Sequence, residues 1–302
     1  MSTPPPIPLK VWTLMAEVGP RWAQGHSQHI QQVMDAFVPV LEQAPKEGIT
    51  VRRDRAYGAD PRQVLDVYLP SEDQIGRPAL IFVHGGAFTE GNRDRNSEIY
   101  ANVPYYFANH GIVGINGEYR LAPQARYPEG SRDAGAMVAW VRANAEGLGV
   151  DPERIFLMGH SAGGAHVASY AYERRLHPAQ GPGIAGVIIV SGRVRADNLP
   201  ENPNARRVEE YYGSDPSRYD GLSAISQVDK DSLPTLIAFA EYENPLLDVY
   251  SLELAHRLAL LKRRAPRVVY LAGHNHASIV AHFNTAEERL GQAILEFIER
   301  PH

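Results

Sequence analysis

The sequence GHSAGG at residues 159–164 places a serine between glycines two positions away on either side. The apolar run at residues 154–158 predicts a strand directly before it, and residues 162–174 predict a helix directly after it. A tight turn from strand to helix needs small residues around the serine and holds its hydroxyl at the helix N-terminus. The segment therefore predicts a nucleophile elbow with Ser161 as the nucleophile.

A second glycine-rich segment, HGGAF at residues 84–88, follows another apolar run that predicts a buried strand. Small residues allow backbone N–H groups to point into open space, where each donor can stabilise an oxyanion by about 3–4 kcal/mol. We predict that the amides of Gly86, Ala87 and Ala162 form an oxyanion hole. His84 is expected to orient the loop rather than to transfer protons.

The segment GHNHAS at residues 273–278 offers the general base that a serine nucleophile needs near pH 7. Its position late in the chain fits the order of serine, acid and histidine that goes with a nucleophile elbow. We predict His276 as the base, with His274 as the alternative. A metal site formed by His274, His276 and His282 is disfavoured, because no HExxH-type helix or convincing carboxylate ligand accompanies them. No metal is therefore predicted.

The acid that orients the imidazole must lie between the serine and the histidine in the chain, at the end of a strand. Glu241, Glu243 and Asp248 all qualify by this order, since they follow the predicted strand at residues 235–240. Glu243 is favoured because it lies in the turn itself. Asp248 fits better as the cap of the next helix, where such a residue is worth about 1 kcal/mol, but all three candidates remain open.

The elements that must position these residues follow an alternating pattern. From residue 79 onward, predicted strands and helices take turns, which implies a mostly parallel central sheet with helices on both faces. The reactive groups of such sheets gather at the carboxyl ends of the strands, where each motif above falls. The strands predicted at residues 49–57 and 64–69 form an antiparallel entry to the sheet, and a helix is predicted at residues 133–145.

The N-terminal region has helical spacing of its apolar residues over 11–41, interrupted at Pro20 and Gly25. We predict two domains, an N-terminal helical segment at residues 1–48 and a catalytic α/β domain at 49–302. Two histidines of the N-terminal segment, His26 and His29, are expected to be solvated or to serve in packing.

Residues 195–226 form a second candidate wall of the pocket. Within this segment Tyr211 and Tyr212 could line the site, although packing is the commoner role of such tyrosines.

Composition limits the classes of function. The 302 residues include 30 Lys and Arg against 35 Asp and Glu, for a net charge of −5, so no nucleic-acid partner is expected. The absence of cysteine excludes thiol nucleophiles, disulfides and cysteine metal sites. Met1 to Lys10 lacks the apolar core of a signal peptide, and no apolar stretch of about 18 residues occurs. We expect a cytoplasmic protein with no membrane partner, and a homo-oligomeric state is compatible with the sequence.

Taken together, the motifs resemble a known family. The chain is similar to the α/β-hydrolase-fold carboxylesterases of the hormone-sensitive-lipase-like and arylformamidase-like groups, and the resemblance covers roughly residues 49–300. The segments that carry it are HGGAF (84–88), EYRLAP (118–123), YPEGSRDA (127–134), DPERIFLMGHSAGG (151–164), AEYENP (240–245) and GHNHAS (273–278).

The resemblance implies a triad of Ser161, His276 and the acid at the position of Glu243, and it implies no metal and no dissociable cofactor. It also implies that Tyr119, Arg120 and Asp133 support the structure, and that the N-terminal helical segment at residues 1–48 is a cap over an α/β-hydrolase catalytic domain at 49–302. The chain departs from many relatives in two places.

One departure is Ala87, where many relatives have a third glycine, and the other is Glu243, where many have aspartate. The extra methyl group of the alanine narrows the cavity near the acyl oxygen. The extra methylene of the glutamate requires the turn to shift slightly, which keeps Asp248 in consideration.

The predicted function is hydrolysis of a small carboxylic ester through an acyl-enzyme, with Ser161, His276 and Glu243 as the catalytic residues. An arylformamidase or amidase that uses the same triad is the alternative. A non-catalytic ligand-binding protein of the same fold is disfavoured, because such proteins usually lack the serine or the histidine, and both are present.

Overall fold

One eight-stranded sheet organises the protein in a computed structural model that describes residues 3–71 and 74–301. The domains predicted at residues 1–48 and 49–302 include Met1, Ser2, Glu72, Asp73 and His302, which lie outside the described residues. The strands are β1 (Thr50–Ala56), β2 (Val64–Leu69), β3 (Arg77–Val83), β4 (Val113–Gly117), β5 (Val150–His160), β6 (Gly186–Val190), β7 (Thr235–Tyr242) and β8 (Arg267–Asn275).

The strand order is β1-β2-β4-β3-β5-β6-β7-β8. Strand β2 pairs antiparallel with β1 and with β4. All the other neighbouring pairs in this order, from β4–β3 to β7–β8, are parallel. The α-helices are α1 (Leu9–Val18), α2 (His26–Leu41), α3 (Asn102–Asn109), α4 (Glu129–Ala143), α5 (Ala145–Leu148), α6 (Ala162–Tyr172), α7 (Ala205–Tyr212), α8 (Tyr219–Leu222), α9 (Leu247–Lys262), α10 (Ser278–Ala281) and α11 (Arg289–Glu299). The mostly parallel sheet predicted from the alternating pattern is confirmed.

Helices cover both faces of the sheet because its central strands are apolar on both sides. In β3, Leu80 and Phe82 face the layer that contains α1, α2, α3 and α11, whereas Ile81 and Val83 face the layer of α4, α6 and α9. All four side chains are fully buried. A continuous apolar run is what a strand buried on both faces requires, since successive side chains point to opposite faces.

The N-terminal segment packs against the sheet and against the turn after β7. Met15, Val33 and Phe37 are fully buried in the same apolar cluster as residues of β3, β5 and β7. The indole N–H of Trp22 donates a hydrogen bond of 2.9 Å to the side-chain oxygen of Asn244. The division at residue 48 and the cap role of this segment stay predictions, but the packing joins it to the sheet layer.

Several element bounds differ from the sequence-based expectation. The predicted helix at 133–145 begins earlier, at Glu129, and region 195–226 contains the short helices α7 and α8. Strand β8 continues beyond the predicted residue 271 because, after a register shift, Asn275 pairs with Tyr242 of β7. This extension depends on the neighbouring strand, which the local apolar pattern does not reveal. Within the described residues, no helix has the length and apolar character needed to cross a membrane.

Replacing Phe37 by alanine tests whether the N-terminal segment contributes to the stability of the whole protein. Because the ring is fully buried against the sheet layer, Phe37→Ala should lower the free energy of unfolding by about 3–5 kcal/mol. Urea unfolding followed by circular dichroism measures the change. In α1, Leu9 is 80% exposed, so Leu9→Ala should change the free energy by no more than about 0.5 kcal/mol. Equal stability of the two variants would contradict this account.

Candidate active site

Ser161 lies at a sharp turn between β5 and α6. Its backbone has φ 57° and ψ −117°, a strained conformation for a residue with a side chain. The neighbouring glycines permit the turn, because a Cβ atom at Gly159 would lie 2.3 Å from the carbonyl oxygen of Gly163, and one at Gly163 would lie 2.2 Å from that of Val83. The turn therefore presents the serine hydroxyl above the end of the sheet, as the GHSAGG pattern predicts.

The structure brings Ser161 together with two of the predicted partners. The Nε2 atom of His276 lies 3.1 Å from the Ser161 Oγ, and its Nδ1 atom lies 2.7 Å from the Glu243 Oε2. The side chains of His276 and Glu243 are only 4% and 2% exposed. With Nδ1 protonated and donating to the carboxylate, Nε2 is free to accept a proton from the serine.

The main chain of His276 is fixed from two sides. Its N–H donates to the carbonyl oxygen of Tyr242 at 2.9 Å, and its own carbonyl oxygen accepts from the Nε2 of His160 at 2.9 Å. Burial and, to a lesser extent, the nearby His276 lower the pKa of His160 well below its ordinary value, so this imidazole stays neutral. The Nδ1 of His160 has no hydrogen-bond partner within the described residues, although the residue lines the pocket.

The carboxylate of Glu243 is held by three donors. Besides His276, its Oε1 accepts from the hydroxyl of Ser191 and from the backbone N–H of Ala240, the latter at 2.8 Å. Ser191 is fully buried and has a positive φ of 47°. The sequence analysis missed Ser191, although it directly follows β6 and the strand-end rule applied to the other motifs would have included it.

The alternative acids point elsewhere. Glu241 is exposed, and its carboxylate accepts from the backbone N–H of Gly273 at 2.7 Å. Asp248 is exposed in the first turn of α9, whose N-cap is Leu246, so the predicted capping role of Asp248 is wrong. Helix α9 begins at Leu247, directly after Pro245 and Leu246.

The alternative base His274 is buried away from the serine. Its ring packs edge-on against Trp12 with 5.5 Å between the centroids, and its Nδ1 lies 3.2 Å from the Ser278 hydroxyl. Burial lowers the pKa of His274 to about 2, and the neighbouring His282 adds to this effect. A histidine that stays neutral in this way is a poor proton acceptor, and its contacts place it in packing.

The glycine-rich loop after β3 exposes main-chain donors beside Ser161. Gly86 has φ 145°, and a Cβ atom there would lie 1.9 Å from the carbonyl oxygen of Glu90, so only glycine fits. Across the described residues, the amides of Gly86, Ala87 and Ala162 donate no intramolecular hydrogen bond. They are thus available to an oxygen atom bound next to the serine.

His84 supports this loop, as the sequence analysis expects. Its Nδ1 bonds to the carbonyl oxygen of Gly85 at 2.7 Å, and its Nε2 bonds to Glu118 at 2.8 Å. Glu118 also pairs with Arg62 and accepts from the Arg93 amide. Burial alone would raise the pKa of Glu118, but these partners outweigh it and lower the pKa.

A cavity of about 110 Å³ opens over these groups. It is mostly polar, and its lining residues are His26, Ser27, Ile30, Met34, Gly85, Gly86, Ala87, Glu90, Arg95, Tyr100, His160, Ser161, Asn204, Arg207, Asn244 and His276. His26 is half-buried and lines this cavity, because α2 begins beside it, so the expectation that it is solvated or serves in packing stays a prediction. No local sequence signal distinguishes His26 from His29, since which of them lies at the cavity depends on how α2 packs against the rest of the protein.

The second predicted wall contributes different residues from those expected. Asn204 and Arg207 line the cavity, whereas Tyr211 and Tyr212 pack around Phe88 with ring centroids at 4.7 and 5.5 Å. The packing role considered for the two tyrosines is thus the one the structure shows. Throughout residues 3–71 and 74–301, no group of three or more histidine or acidic side chains is arranged to hold a metal ion.

Known proteins share parts of this sequence. The family model described as BD-FAE matches residues 65–177. Isoprenylcysteine alpha-carbonyl methylesterase ICME of Arabidopsis thaliana is 38% identical over 121 residues, covering 40% of this chain and 27% of that protein. Esterase LipC of Mycobacterium tuberculosis is 29% identical over 243 residues, covering 74% of this chain and 59% of LipC. The chain thus spans less than two thirds of the length of these relatives.

Solved structures share the fold. An esterase from the archaeon Pyrobaculum calidifontis superposes with a TM-score of 0.70 at 21% identity, covering 97% of this chain and 98% of that one. A truncated carbohydrate esterase from gut microbiota gives a TM-score of 0.72 at 20% identity, covering 85% and 100%. The chain has the α/β-hydrolase fold, and the relatives named above are esterases. The resemblance to α/β-hydrolase-fold carboxylesterases that the motifs indicate is confirmed.

Buried neutral histidines predict how stability depends on pH. Burial lowers the pKa of His282 to about 4, so between pH 6.5 and 4 the unfolded chain binds a proton there that the folded protein does not. The free energy of unfolding should therefore fall as pH decreases, by about 1.4 kcal/mol per pH unit for this residue. His282→Asn, which keeps a donor for the Ser278 carbonyl, should remove that part of the slope.

Urea unfolding at pH 7, 6 and 5 measures the slope. The exposed His256 provides the control, and His256→Asn should leave the slope as it is in the unmodified protein. A slope that His282→Asn leaves unchanged would show that His282 titrates alike in the folded and unfolded chains.

Proposed function

We propose that the protein is a serine carboxylesterase in which Ser161 is the nucleophile, His276 the general base and Glu243 the acid that orients it. The observation that carries the proposal is the contact of His276 with both partners, at 3.1 Å to the Ser161 hydroxyl and 2.7 Å to the Glu243 carboxylate. The similarity to LipC and to other carboxylesterases supports the ester as the bond that is cleaved.

Acylation begins when the Ser161 Oγ attacks the ester carbonyl carbon and its proton moves to the His276 Nε2. The negative charge that develops on the carbonyl oxygen is stabilised by the amides of Gly86, Ala87 and Ala162, which have no competing acceptor in the described part of the chain. The imidazolium then gives its proton to the departing alcohol oxygen, which leaves an ester between Ser161 and the acyl group.

Deacylation repeats the same proton transfers with water. His276 removes a proton from the attacking water and returns it to the Ser161 oxygen as the acid departs. Glu243 stabilises the imidazolium in both steps, and its own three donors keep the carboxylate in place. His160 remains neutral beside the imidazolium and therefore adds no second positive charge against it.

The cavity supports a short acyl or alcohol group, since its volume is about 110 Å³. The arylformamidase alternative would use the same atoms and stays a prediction, as do cytoplasmic location and oligomeric state. Side-by-side kcat/KM values for a short aryl ester and an N-formyl anilide would separate the two substrate classes.

Removing the Ser161 hydroxyl tests the nucleophile. Ser161→Ala should lower kcat for p-nitrophenyl acetate by about 10⁴-fold or more, because no other group can form the acyl-enzyme. Ser214 is exposed and lies outside the pocket, so Ser214→Ala should keep full activity. Unchanged circular dichroism would show that both variants are folded. Turnover retained by Ser161→Ala would refute the proposal.

A second test separates the three candidate acids. Glu243→Gln should reduce kcat by up to about 10⁴-fold, because the amide can present its N–H to Nδ1 and leave the wrong tautomer of His276. Glu241→Gln and Asp248→Asn should each change kcat less than about threefold, since both carboxylates are exposed and neither contacts His276. A large loss in Asp248→Asn with a small one in Glu243→Gln would reverse the assignment.

A further inference from the structure

Two guanidinium groups line the cavity, and their partners differ. Arg207 of α7 forms two hydrogen bonds with the carboxylate of Glu90, one of them at 3.0 Å. Arg95, in the loop between β3 and α3, bonds to the side-chain oxygen of Gln31 at 3.3 Å and lies near the hydroxyl of Tyr100. Both of its partners are neutral. Over the described residues, no carboxylate lies within ion-pair distance of Arg95.

Tyr100 connects Arg95 to the oxyanion loop. The tyrosine is 3% exposed, and its hydroxyl lies near the backbone of Gly85 as well as near Arg95. Gly85 directly precedes the predicted donor Gly86. It lies against Ser161, since a Cβ atom at Gly85 would be only 3.0 Å from the Ser161 Cβ. The guanidinium is thus one side chain away from the segment that borders the serine.

The charges around the cavity leave an excess of one positive charge at rest. Arg207 and Glu90 neutralise each other. Burial and the nearby His276, Arg207 and His29 lower the pKa of His26, so its imidazole is neutral near pH 7. Arg95 is the remaining cation of the lining. Arg95 is exposed although it lines the cavity, so an anion that enters from solvent can reach its guanidinium, with the strength of a charge interaction near a protein surface.

We propose that Arg95 binds an anionic group of the substrate, so that the cavity selects esters that carry a carboxylate in addition to the ester that is cleaved. A guanidinium has five N–H donors in a planar fork, and two neutral partners leave several of them for a carboxylate. This inference rests on the proposed esterase function, and it adds a substrate class to it.

Two pairs of substrates test the proposal, one for each side of the ester. Monoethyl succinate and ethyl butyrate have similar acyl chains but differ in charge, and hydrolysis is followed in a pH-stat. The pair para-acetoxybenzoate and methyl para-acetoxybenzoate places the charge on the leaving group instead. In at least one pair, the unmodified protein should favour the anionic ester in kcat/KM, and the pair that does so identifies the side that Arg95 faces.

Variants of Arg95 separate charge from packing. Arg95→Gln should reduce the anionic-to-neutral ratio of kcat/KM by about tenfold, as expected for the loss of a hydrogen bond to a charged group. Arg95→Lys keeps the charge without the fork and should restore part of the ratio. Arg206 of α7 is exposed and outside the cavity, so Arg206→Gln should leave the ratio unchanged. Raising the salt concentration should also reduce the ratio.

The outcomes distinguish this inference from the proposed function. If the protein hydrolyses the neutral esters as fast as the anionic ones, or if Arg95→Gln leaves the ratio unchanged, the role of Arg95 is refuted while the esterase stands. If no ester is hydrolysed, the proposed function fails. Calorimetric titration of Ser161→Ala with monoethyl succinate then still tests Arg95, because adding Arg95→Gln should weaken binding about tenfold, and equal affinities would overturn the inference.

Discussion

The arrangement of the site depends on the position of one imidazole. His276 can bridge the hydroxyl of Ser161 and the carboxylate of Glu243 only if its ring is held to within about 0.5 Å. Two hydrogen bonds of its main chain provide that restraint: its N–H donates to the Tyr242 carbonyl oxygen, and its carbonyl oxygen accepts from His160. Tyr242 lies at the end of β7 and His160 at the end of β5, so the parallel sheet holds the imidazole in place.

The same parallel sheet explains why strain is concentrated at its carboxyl edge. Ser161, Ser191 and Ala87 all have positive φ angles, which side chains rarely adopt. Each lies just after a strand that is buried on both faces, and the surrounding layers hold the turn in place. Glycines occur where the turns approach each other, as at Gly163 against β3. The burial of the strands therefore compensates for the local strain that exposes the reactive groups.

The cavity shows how the N-terminal segment and the sheet combine. Helix α2 packs its apolar side into the layer beside β3, and its first turn places His26 and Ser27 at the cavity. The hydrogen bond from Trp22 to Asn244 ties the same segment to the turn that carries Glu243. A segment that contributes core residues and lining residues at once couples the stability of the fold to the shape of the site.

The sequence by itself determined the residue types and their order. The glycines around Ser161, the HGGAF loop, the late histidines and the acidic turn were recognisable because tight turns and strand ends have local signatures. Only the tertiary structure shows that Glu243, and neither Glu241 nor Asp248, contacts His276, and that His276 rather than His274 contacts Ser161, since these contacts depend on where each side chain points. It also decided the places of Ser191, His26 and Arg95. The physical reason is that these contacts join residues far apart in the chain, such as Ser161 and His276, and local periodicity carries no information about the packing that brings them together.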